Sequence, residues 1–292
     1  MKITVGTRGS ELALGQAQPM VDFLRQAGHE IQWRRFTTAG DKWLAGPLDK
    51  TTGTGFFTRE LEQSLLQGDV DLLIHSFKDV ALERPDGIVT ACVPLREDPC
   101  DWLVMRADAP ERPVIGTSSE RRLRFLRQAF PEATFTWIRG NVPTRVQRVR
   151  EGLLRDEPLH GTVLAAAGLR RLALDLSGLS VRPLRFDELL PAPAQGALLA
   201  ESRADCRDIL EALRPLHDPL SERCVRLERS VLAGIGGGCQ QPLGVLAEIQ
   251  EDGRMRLRAA FAVEAELRWA EALGADRGSE DRTLVDQVLA GL

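Results

Sequence analysis

One stretch near the end of the chain has the composition of a reactive loop. Gly236, Gly237 and Gly238 precede Cys239, and Pro242 follows after two glutamines. Glycine adopts backbone angles that other residues avoid and lets a ligand approach closely. A cysteine on such a loop is accessible, whereas most unpaired cysteines pack in the core as small hydrophobic residues. The thiol is therefore a candidate attachment point, with a tight turn and an incidental thiol as the alternative.

The middle of the chain is rich in arginine. Between Arg112 and Arg171 there are 12 arginines, no lysine and 5 acidic residues, in a chain whose formal net charge is −4. Guanidinium groups bind carboxylates and phosphates through paired hydrogen bonds, so this region is predicted to bind a polyanion. Nucleic acid is a poor candidate, because aromatic residues make up only 5% of the chain and tyrosine is absent, which leaves little for base stacking.

The first candidate anion ligands lie between a predicted strand and a predicted helix. Residues 3–7 have the composition of a buried strand, and Ser10 precedes apolar residues at helical spacing as far as Gly28. Because free N–H groups at a helix start attract anions, Arg8 and Ser10 are candidates. A solvated turn is the alternative.

A second predicted strand, residues 69–74, ends in His75, Ser76, Phe77, Lys78 and Asp79. Loops beyond the carboxyl ends of strands hold ligands in open α/β sheets. The carboxylate of Asp79 could hold an N–H group and stabilise positive charge that develops on a substrate, and Lys78 could pair with an acid. An ordinary turn, with Asp79 as a helix cap, is the alternative.

The same succession of strand, small-residue turn and arginine recurs in the middle region. A helix predicted at 120–129 carries Arg121 and Arg122 in its first turn, where cations oppose the helix dipole unless an anion is bound. Turns at 139–145 and 168–171 repeat the pattern. Three such turns converging on one sheet edge predict a polyanion-binding cleft, and exposed arginines that point into solvent are the alternative.

The remaining pattern predicts a chain that crosses twice between domains. Residues 96–101 and 190–196 have the composition of crossings, and residues 41–55 form either a lid or a disordered loop without a role. Strands are predicted at 30–37, 88–93, 135–138, 163–166, 243–249 and 254–263, and helices at 58–67, 221–232 and 280–290.

The cysteines and the N-terminus bear on the cellular compartment. Five cysteines at wide spacings, with four histidines and no CxxC pair, argue against a disulfide framework and a structural zinc site, and no metal is expected. The sequence shows neither a signal-peptide pattern nor an apolar run near the ~20 residues of a membrane span. We therefore expect a cytoplasmic protein that binds neither membrane nor nucleic acid.

Together these motifs resemble the porphobilinogen deaminase family, also called hydroxymethylbilane synthases. The matching stretches fall in order over nearly the whole chain: TRGSELAL (7–14), HSFKDV (75–80), GTSSERR (116–122), RGNVPTR (139–145), AAGLRR (166–171), QGA (195–197) and GGCQ (237–240).

The resemblance implies an α/β fold with two domains like those of type II periplasmic binding proteins, a central cleft, and a small α+β C-terminal domain. The expected domains are residues 1–95 with 192–217, residues 96–191, and residues 218–292. It also implies a monomer whose substrate is porphobilinogen and whose cofactor is dipyrromethane, joined to Cys239 by a thioether.

The family's reaction condenses four porphobilinogen molecules head to tail with loss of ammonia, and water then releases hydroxymethylbilane. By resemblance Asp79 is the catalytic residue, which holds pyrrole N–H groups and stabilises a cationic azafulvene-like intermediate. The implied cofactor-binding residues are Cys239, Ser76, Lys78, Asp79, Thr117, Ser119, Arg121, Arg122, Arg145 and Gly168. The implied substrate-binding residues are Arg8, Ser10, Arg139, Arg145, Arg171 and Gln195.

The chain departs from the family pattern at four positions. Thr54 replaces a lysine of the lid, Ala194 replaces a glycine, Phe77 stands where methionine is frequent, and Ser202 stands where cysteine is common. We expect Thr54 to remove a cationic contact and Ala194 to crowd the cleft, which would affect rate more than reaction type. An impaired or repurposed homologue and a non-catalytic two-domain anion-binding protein are the alternative functions.

Overall fold

The computed structural model describes residues 1–37, 58–237, 241–264, 266–275 and 280–292. The predicted lid with Thr54, and the predicted attachment residue Cys239, lie outside these ranges.

In the described ranges the strands are β1 Lys2–Arg8, β2 Glu30–Phe36, β3 Leu72–Ser76, β4 Ile88–Cys92, β5 Asp101–Arg106, β6 Val114–Gly116, β7 Thr134–Thr136, β8 Leu153–Leu154, β9 Glu157–Pro158, β10 Gly161–Ala165, β11 Leu179–Pro183, β12 Leu198–Arg203, β13 Leu243–Ile249, β14 Met255–Val263 and β15 Glu266–Gly274. The helices are α1 Glu11–Gln26, α2 Arg59–Leu66, α3 Glu120–Ala129, α4 Val142–Glu151, α5 Ala166–Arg171, α6 Arg207–Leu213, α7 Pro219–Gly234 and α8 Asp281–Gly291. Short 3-10 turns cover Phe77–Asp79 and Arg214–Leu216.

The described chain forms two compact units. The first comprises Met1–Glu97 and Gly196–Arg223, and the second comprises Asp98–Gln195 and Cys224–Leu292. The C-terminal segment is grouped here with the second unit, and the division into three domains stays a prediction.

The first unit contains a mixed five-stranded sheet in the order β2-β1-β3-β12-β4. β1 runs parallel to β2 and β3, whereas β12 runs antiparallel to β3 and β4. One side of this sheet packs on α1, whose buried residues Ala17, Val21 and Leu24 recur at helical spacing. Ser10 caps α1 as predicted, because its hydroxyl oxygen accepts a hydrogen bond from the Ala13 N–H.

The sheet of the second unit repeats this plan in the order β7-β6-β10-β5-β11. β6 is parallel to β7 and β10, and β5 lies antiparallel between β10 and β11. In both sheets the antiparallel strand at the fourth place follows a crossing: β5 begins three residues after residue 98, and β12 begins two residues after residue 196. Each crossing therefore delivers a strand into the sheet of the unit that it enters.

Caps also fix the helices of the second unit. Ser119 caps α3 by accepting a hydrogen bond from the Arg122 N–H, and Asn141 caps α4 through the Thr144 N–H. Gly152 ends α4 with φ of 75°, the left-handed conformation that favours glycine at a helix C-terminus.

The C-terminal segment is an α+β element: β13, β14 and β15 form an antiparallel sheet, and α8 packs on β15. The sheet joins the core of the second unit, where Leu246 and Ala260 pack in one cluster with Phe125. The carboxylate of Glu228 on α7 is fully buried and accepts backbone N–H groups from Ala194 at 2.7 Å and Ala247 at 3.0 Å. This carboxylate fixes the segment to the second crossing.

The structure confirms the predicted α/β class, with two similar sheets and a small α+β C-terminal part. The helix at 120–129 and the strand at 243–249 have the predicted limits. The sequence analysis did not predict β5, β11, β12 or β15, and it placed residues 75–76 beyond a strand that in fact ends at Ser76. None of the helices in the described ranges is long and apolar enough to span a membrane.

Candidate active site

The end of β3 carries the predicted catalytic residue. Phe77, the first residue of the turn that follows, is buried, and its N–H donates to the Ala197 carbonyl at 3.0 Å. Lys78 and Asp79 are half-buried. Within the described part of the chain Asp79 forms no hydrogen bond or ion pair, so its carboxylate remains available to a ligand.

Arg8 and Ser10 lie at the same edge of this sheet. β1 and β3 are parallel neighbours in which Gly6 lies opposite Leu73, so Arg8 is level with the end of β3. The Ser10 hydroxyl oxygen is used as a cap at 3.2 Å from the Ala13 nitrogen, and its hydrogen remains available to an acceptor. The structure thus brings together the predicted ligands of the first unit.

A buried carboxylate holds both ends of the segment that carries Asp79. Glu201 on β12 is 2% exposed; its Oε2 lies 3.3 Å from His75 Nε2, and Arg84 donates to its two oxygens at 2.9 and 2.5 Å. Arg84 also donates to Glu62 at 2.5 Å. Although burial raises it, the contact with His75 and the charge of Arg84 leave the pKa of Glu201 below its usual range. His75 and Arg84 flank the Asp79 segment, so Glu201 lies against the start of the segment and is hydrogen-bonded to its end.

In the second unit a buried aspartate holds two of the predicted arginine ligands. Asp101 is 1% exposed, and its two oxygens accept hydrogen bonds from Arg121 at 2.8 Å and Arg122 at 2.7 Å. Arg121 also donates to the Leu190 carbonyl, and Arg122 donates to the Val163 carbonyl at 2.8 Å. Burial and the charge of Arg122 lower the pKa of Arg121 against the attraction of Asp101.

This arrangement corrects the argument from the helix dipole. The sequence predicted that a bound ligand would remove the electrostatic cost of Arg121 and Arg122 at a helix start. In the structure the carboxylate of Asp101 already faces both side chains. The two guanidinium groups share one carboxylate, and Nε of Arg122 is buried without a hydrogen-bond partner among the described residues. The role of Arg121 and Arg122 as cofactor ligands stays a prediction, and both side chains already bind the carboxylate of Asp101.

Arg122, Arg139 and Arg145 form a cationic cluster, which we call the arginine cluster. Burial, and then the charges of Arg122 and Arg139, lower the pKa of Arg145 to about 10. Arg145 donates to the Gly140 carbonyl at 2.9 Å and to Ser118 Oγ at 3.3 Å, and no carboxylate of the described residues pairs with it. Like charges held together without a carboxylate on Arg145 form a site for an anionic ligand.

The other predicted ligands of the second unit differ in burial and in hydrogen bonding. Thr117 and Ser119 organise the turn before α3, since Thr117 Oγ1 accepts the Ser119 N–H at 3.2 Å. Gly168 is buried within α5, and Arg171 at the end of this helix is half-buried. Gln195 is fully buried and donates to the Pro99 carbonyl at 2.7 Å, which joins the two crossings; its contact with substrate stays a prediction.

Two of the four described cysteines, Cys92 and Cys100, are poor candidates for covalent attachment. Burial, with the charge of Glu222, raises the pKa of Cys92 to about 12, and burial, with Asp98 and Asp101, raises the pKa of Cys100 to about 11. A thiol must ionise to act as a nucleophile, so both are unreactive. Cys239 lies outside the described residues; the preceding Gly236 and Gly237 have φ of 86° and 43°, in the left-handed region that the glycine-rich sequence predicted.

The structure gives a physical meaning to one departure from the family pattern. Ala194 has φ of 64° and is fully buried, so it occupies a left-handed conformation in which glycine is free of strain. Ser202 is also buried, and its hydroxyl donates to the Asp71 carbonyl at 2.8 Å. The expected consequence of Ala194 is therefore backbone strain, in addition to any effect of its methyl group on a ligand.

No sequence motif pointed to Asp101, Arg84 or Glu201. A weak signal was present for Asp101, an acid at the edge of the arginine-rich region. Glu201 lies 117 residues from Arg84, and no local pattern indicates such a pair. In the described residues no group of three or more His, Cys, Asp and Glu side chains could hold a metal ion.

The two α/β units with this strand order, each carrying predicted ligands at strand ends, have the type II periplasmic-binding-protein class of fold. Residues 3–211 match the family model described as the porphobilinogen deaminase dipyrromethane cofactor-binding domain, and residues 222–283 match the porphobilinogen deaminase C-terminal domain. The chain belongs to the porphobilinogen deaminase family.

Curated relatives cover the whole length. The porphobilinogen deaminase of Albidiferax ferrireducens is 39% identical over 97% of this chain and 94% of its own, and that of Thiobacillus denitrificans is 39% identical over 99% and 95%. Among solved structures, lactococcal OpuAC complexed with glycine betaine is 8% identical, with a TM-score of 0.41 over 82% of this chain and 91% of its own. That likeness is too low to carry an argument, and the fold assignment depends on the sheet topology and the family.

Replacing Ala194 with glycine is expected to stabilise the protein. A left-handed conformation costs an alanine about 1–2 kcal/mol, partly offset by the greater freedom of glycine in the unfolded chain, so we expect a gain of up to about 1 kcal/mol. Urea denaturation of the purified variant measures it. As a control, Ala197→Gly alters an equally buried alanine whose φ is not positive and should lose stability. A loss in Ala194→Gly would contradict the strain argument.

Asp101→Asn is expected to destabilise the protein strongly. The change removes the charge between two buried guanidinium groups, and breaking a buried ion pair on one side costs about 3–5 kcal/mol. Thermal and urea unfolding measure the effect. The matched control is Asp108→Asn, which breaks an exposed pair with Arg106 and should change stability little. Equal effects of the two substitutions would show that Asp101 does not organise the core of this unit.

Proposed function

We propose that the chain condenses four porphobilinogen molecules head to tail on a covalently bound dipyrromethane, releases ammonia at each addition, and finally yields hydroxymethylbilane by hydrolysis. The arginine cluster is the observation that carries this proposal. Porphobilinogen and its oligomers bear one acetate and one propionate on each pyrrole, so the ligand is a polycarboxylate. Family membership supplies the reaction class, and the cluster supplies the matching charge.

The residues fit the implied cofactor. Dipyrromethane would bring four carboxylates, and the guanidinium groups of Arg122, Arg139 and Arg145 are of the sign and type that bind them in pairs of hydrogen bonds. Cys239 would hold it through a thioether, in line with the raised pKa values of Cys92 and Cys100. When bound, the cofactor supplies the terminal pyrrole carbon to which the first substrate is joined.

Asp79 suits the chemistry of the substrate. Ammonia leaves when the C–N bond of the aminomethyl group breaks, with the electron pair and a proton going to nitrogen, and the pyrrole that remains is cationic. A carboxylate without a partner among the described residues can accept the pyrrole N–H and stabilise that charge. The methylene carbon then bonds to the α-carbon of the preceding pyrrole, whose hydrogen leaves as a proton.

Charged side chains near Asp79, and others in the second unit, would position the substrate. Lys78, Arg8 and Ser10 lie at the edge of the first sheet and offer donors for one set of carboxylates, and Arg139 and Arg171 offer guanidinium groups for another. The family resemblance is also the basis on which we propose a monomer that acts in the cytoplasm. A repurposed homologue that holds the pigment without turnover is the alternative, and it differs in lacking activity with porphobilinogen.

Cys239→Ser is expected to abolish covalent loading. Intact-mass measurement of the parent protein, with peptide mapping, should find the added mass of dipyrromethane on Cys239, and the variant should lack it because a serine hydroxyl does not ionise as a thiol does. Cys206→Ser, at a half-buried cysteine, should keep the mass. A serine variant that carries the adduct would refute the attachment site. A parent that gains no adduct after incubation with porphobilinogen would refute the proposed function.

Asp79→Asn is expected to keep the covalent cofactor and lose turnover. Removing one preorganised group that stabilises transition-state charge costs about 10²–10³-fold in rate. Ammonia release and product formation from porphobilinogen measure the rate, and intact mass verifies loading. Asp86→Asn, at an exposed carboxylate just beyond the same segment, should behave as the parent. Turnover near the parent rate in a loaded Asp79→Asn protein would remove Asp79 from the catalytic role.

A further inference from the structure

Trp137 lies beside two arginines, of which the family motifs include only one. The guanidinium carbon of Arg139 is 5.3 Å from the centre of the Trp137 ring, and that of Arg155 is 5.9 Å from the same centre. Both cations are within range of the ring's negative face. The ring therefore places Arg155 next to a member of the arginine cluster.

A short hairpin holds Arg155 in this place. β8 and β9 pair through Leu153 and Pro158, and Leu154 and Leu159 pack in a buried cluster with Ile138. Ile138 is the residue between Trp137 and Arg139, so the hairpin is anchored directly to the segment that carries them.

Turn geometry does not explain the choice of arginine. Arg155 and Asp156 form the tip of the hairpin with φ of 53° and 67°, and such turns favour asparagine and glycine. An arginine in a left-handed conformation adds strain without improving the turn. The side chain itself is thus the feature to be explained.

Several arginines of the region pair with protein carboxylates, whereas Arg155, like Arg145, has no such partner among the described residues. Arg124 pairs with Glu120 at 2.6 Å and Arg170 pairs with Asp98 at 3.1 Å. Arg155 is exposed and forms no ion pair with any described residue, even though Asp156 and Glu157 follow it directly. Its charge adds to that of the arginine cluster.

The order of the charges indicates which part of a ligand Arg155 would meet. Arg139 is the member of the arginine cluster that shares the Trp137 ring with Arg155. Arg155 therefore extends the cluster beyond Arg139. A ligand that grows by two carboxylates at each addition would need such an extension only when it is long.

We propose that Arg155, held against Trp137, is a further substrate-positioning residue that binds a carboxylate of the growing pyrrole chain during the later additions. This inference rests on the proposed function. It concerns binding by the side chain of this protein and adds no chemical step to the condensation.

The first test follows the length of the covalent chain. Loaded protein is mixed with limiting porphobilinogen, quenched at intervals and weighed intact, which gives the population at each number of added units. In Arg155→Gln the first addition should keep the parent rate, and the later additions should slow about fivefold, the scale of one exposed charge pair. Arg155→Lys should recover most of the rate. Arg127→Gln, at an exposed arginine on α3 without an ion pair among the described residues, should match the parent.

The second test measures binding without turnover. The protein is labelled with 5-fluorotryptophan, the Trp137 resonance is assigned by Trp137→Phe, and benzene-1,2,4,5-tetracarboxylate is titrated in. The Trp137 resonance should shift, with affinity about fivefold weaker in Arg155→Gln than in the parent or Arg127→Gln. The Trp269 resonance, from the C-terminal sheet, should stay unchanged.

The outcomes separate the two proposals. Parent-like chain populations in Arg155→Gln, or equal slowing of every addition, would overturn the role in later additions. An unchanged affinity for the tetracarboxylate would overturn carboxylate binding by Arg155. A parent protein that builds no chain would instead refute the proposed function, and the titration would then decide alone whether Arg155 binds carboxylates.

Discussion

The carboxylate of Asp101 is the interaction on which the second unit depends. A site for a polyanion must hold several cations together before the ligand arrives, and two unit charges 4 Å apart repel by about 4 kcal/mol at an effective dielectric constant of 20. Asp101 is buried and accepts hydrogen bonds from Arg121 and Arg122, which also donate to the Leu190 and Val163 carbonyls. One internal anion fixes two guanidinium groups and leaves an excess of positive charge for a ligand.

The first unit also contains a buried structural carboxylate, Glu201, but there the group left available to a ligand is a carboxylate and not a cation. Glu201 is buried and bonded to Arg84, with His75 3.3 Å away, so a charge that does no chemistry fixes the segment that carries Asp79. The candidate catalytic carboxylate is left without a partner among the described residues. A carboxylate already bound to a guanidinium group would be a poor stabiliser of a cationic substrate, because its charge would be largely satisfied. Separate structural and catalytic carboxylates avoid this conflict.

Local sequence patterns indicate structural features whose partners are close in the sequence, such as helix caps. The cap at Ser10 was predicted, because its partner lies three residues away; the caps at Ser119 and Asn141 have equally local partners. The pairs around Asp101 and Glu201 were not predicted, since their partners lie 20 to 126 residues distant and meet only once β5 and β12 enter the sheets. The same topology explains why those strands were missed: each follows a crossing and pairs with strands far away in sequence. The left-handed φ of Ala194 was indicated only by the glycine usual in the family.

The preference for arginine over lysine follows from two requirements on these side chains: they must hydrogen-bond to the protein and also offer donors to a ligand. Arg122 donates to Asp101 and to the Val163 carbonyl, and Arg145 donates to Gly140 and Ser118. A guanidinium group has five N–H donors in a fixed plane, so two can bind the protein while others face a ligand. A lysine has three donors on one nitrogen and no such division. The lysine-free region between Arg112 and Arg171 is what a site needs when its cations must be anchored by the protein and still bind carboxylates.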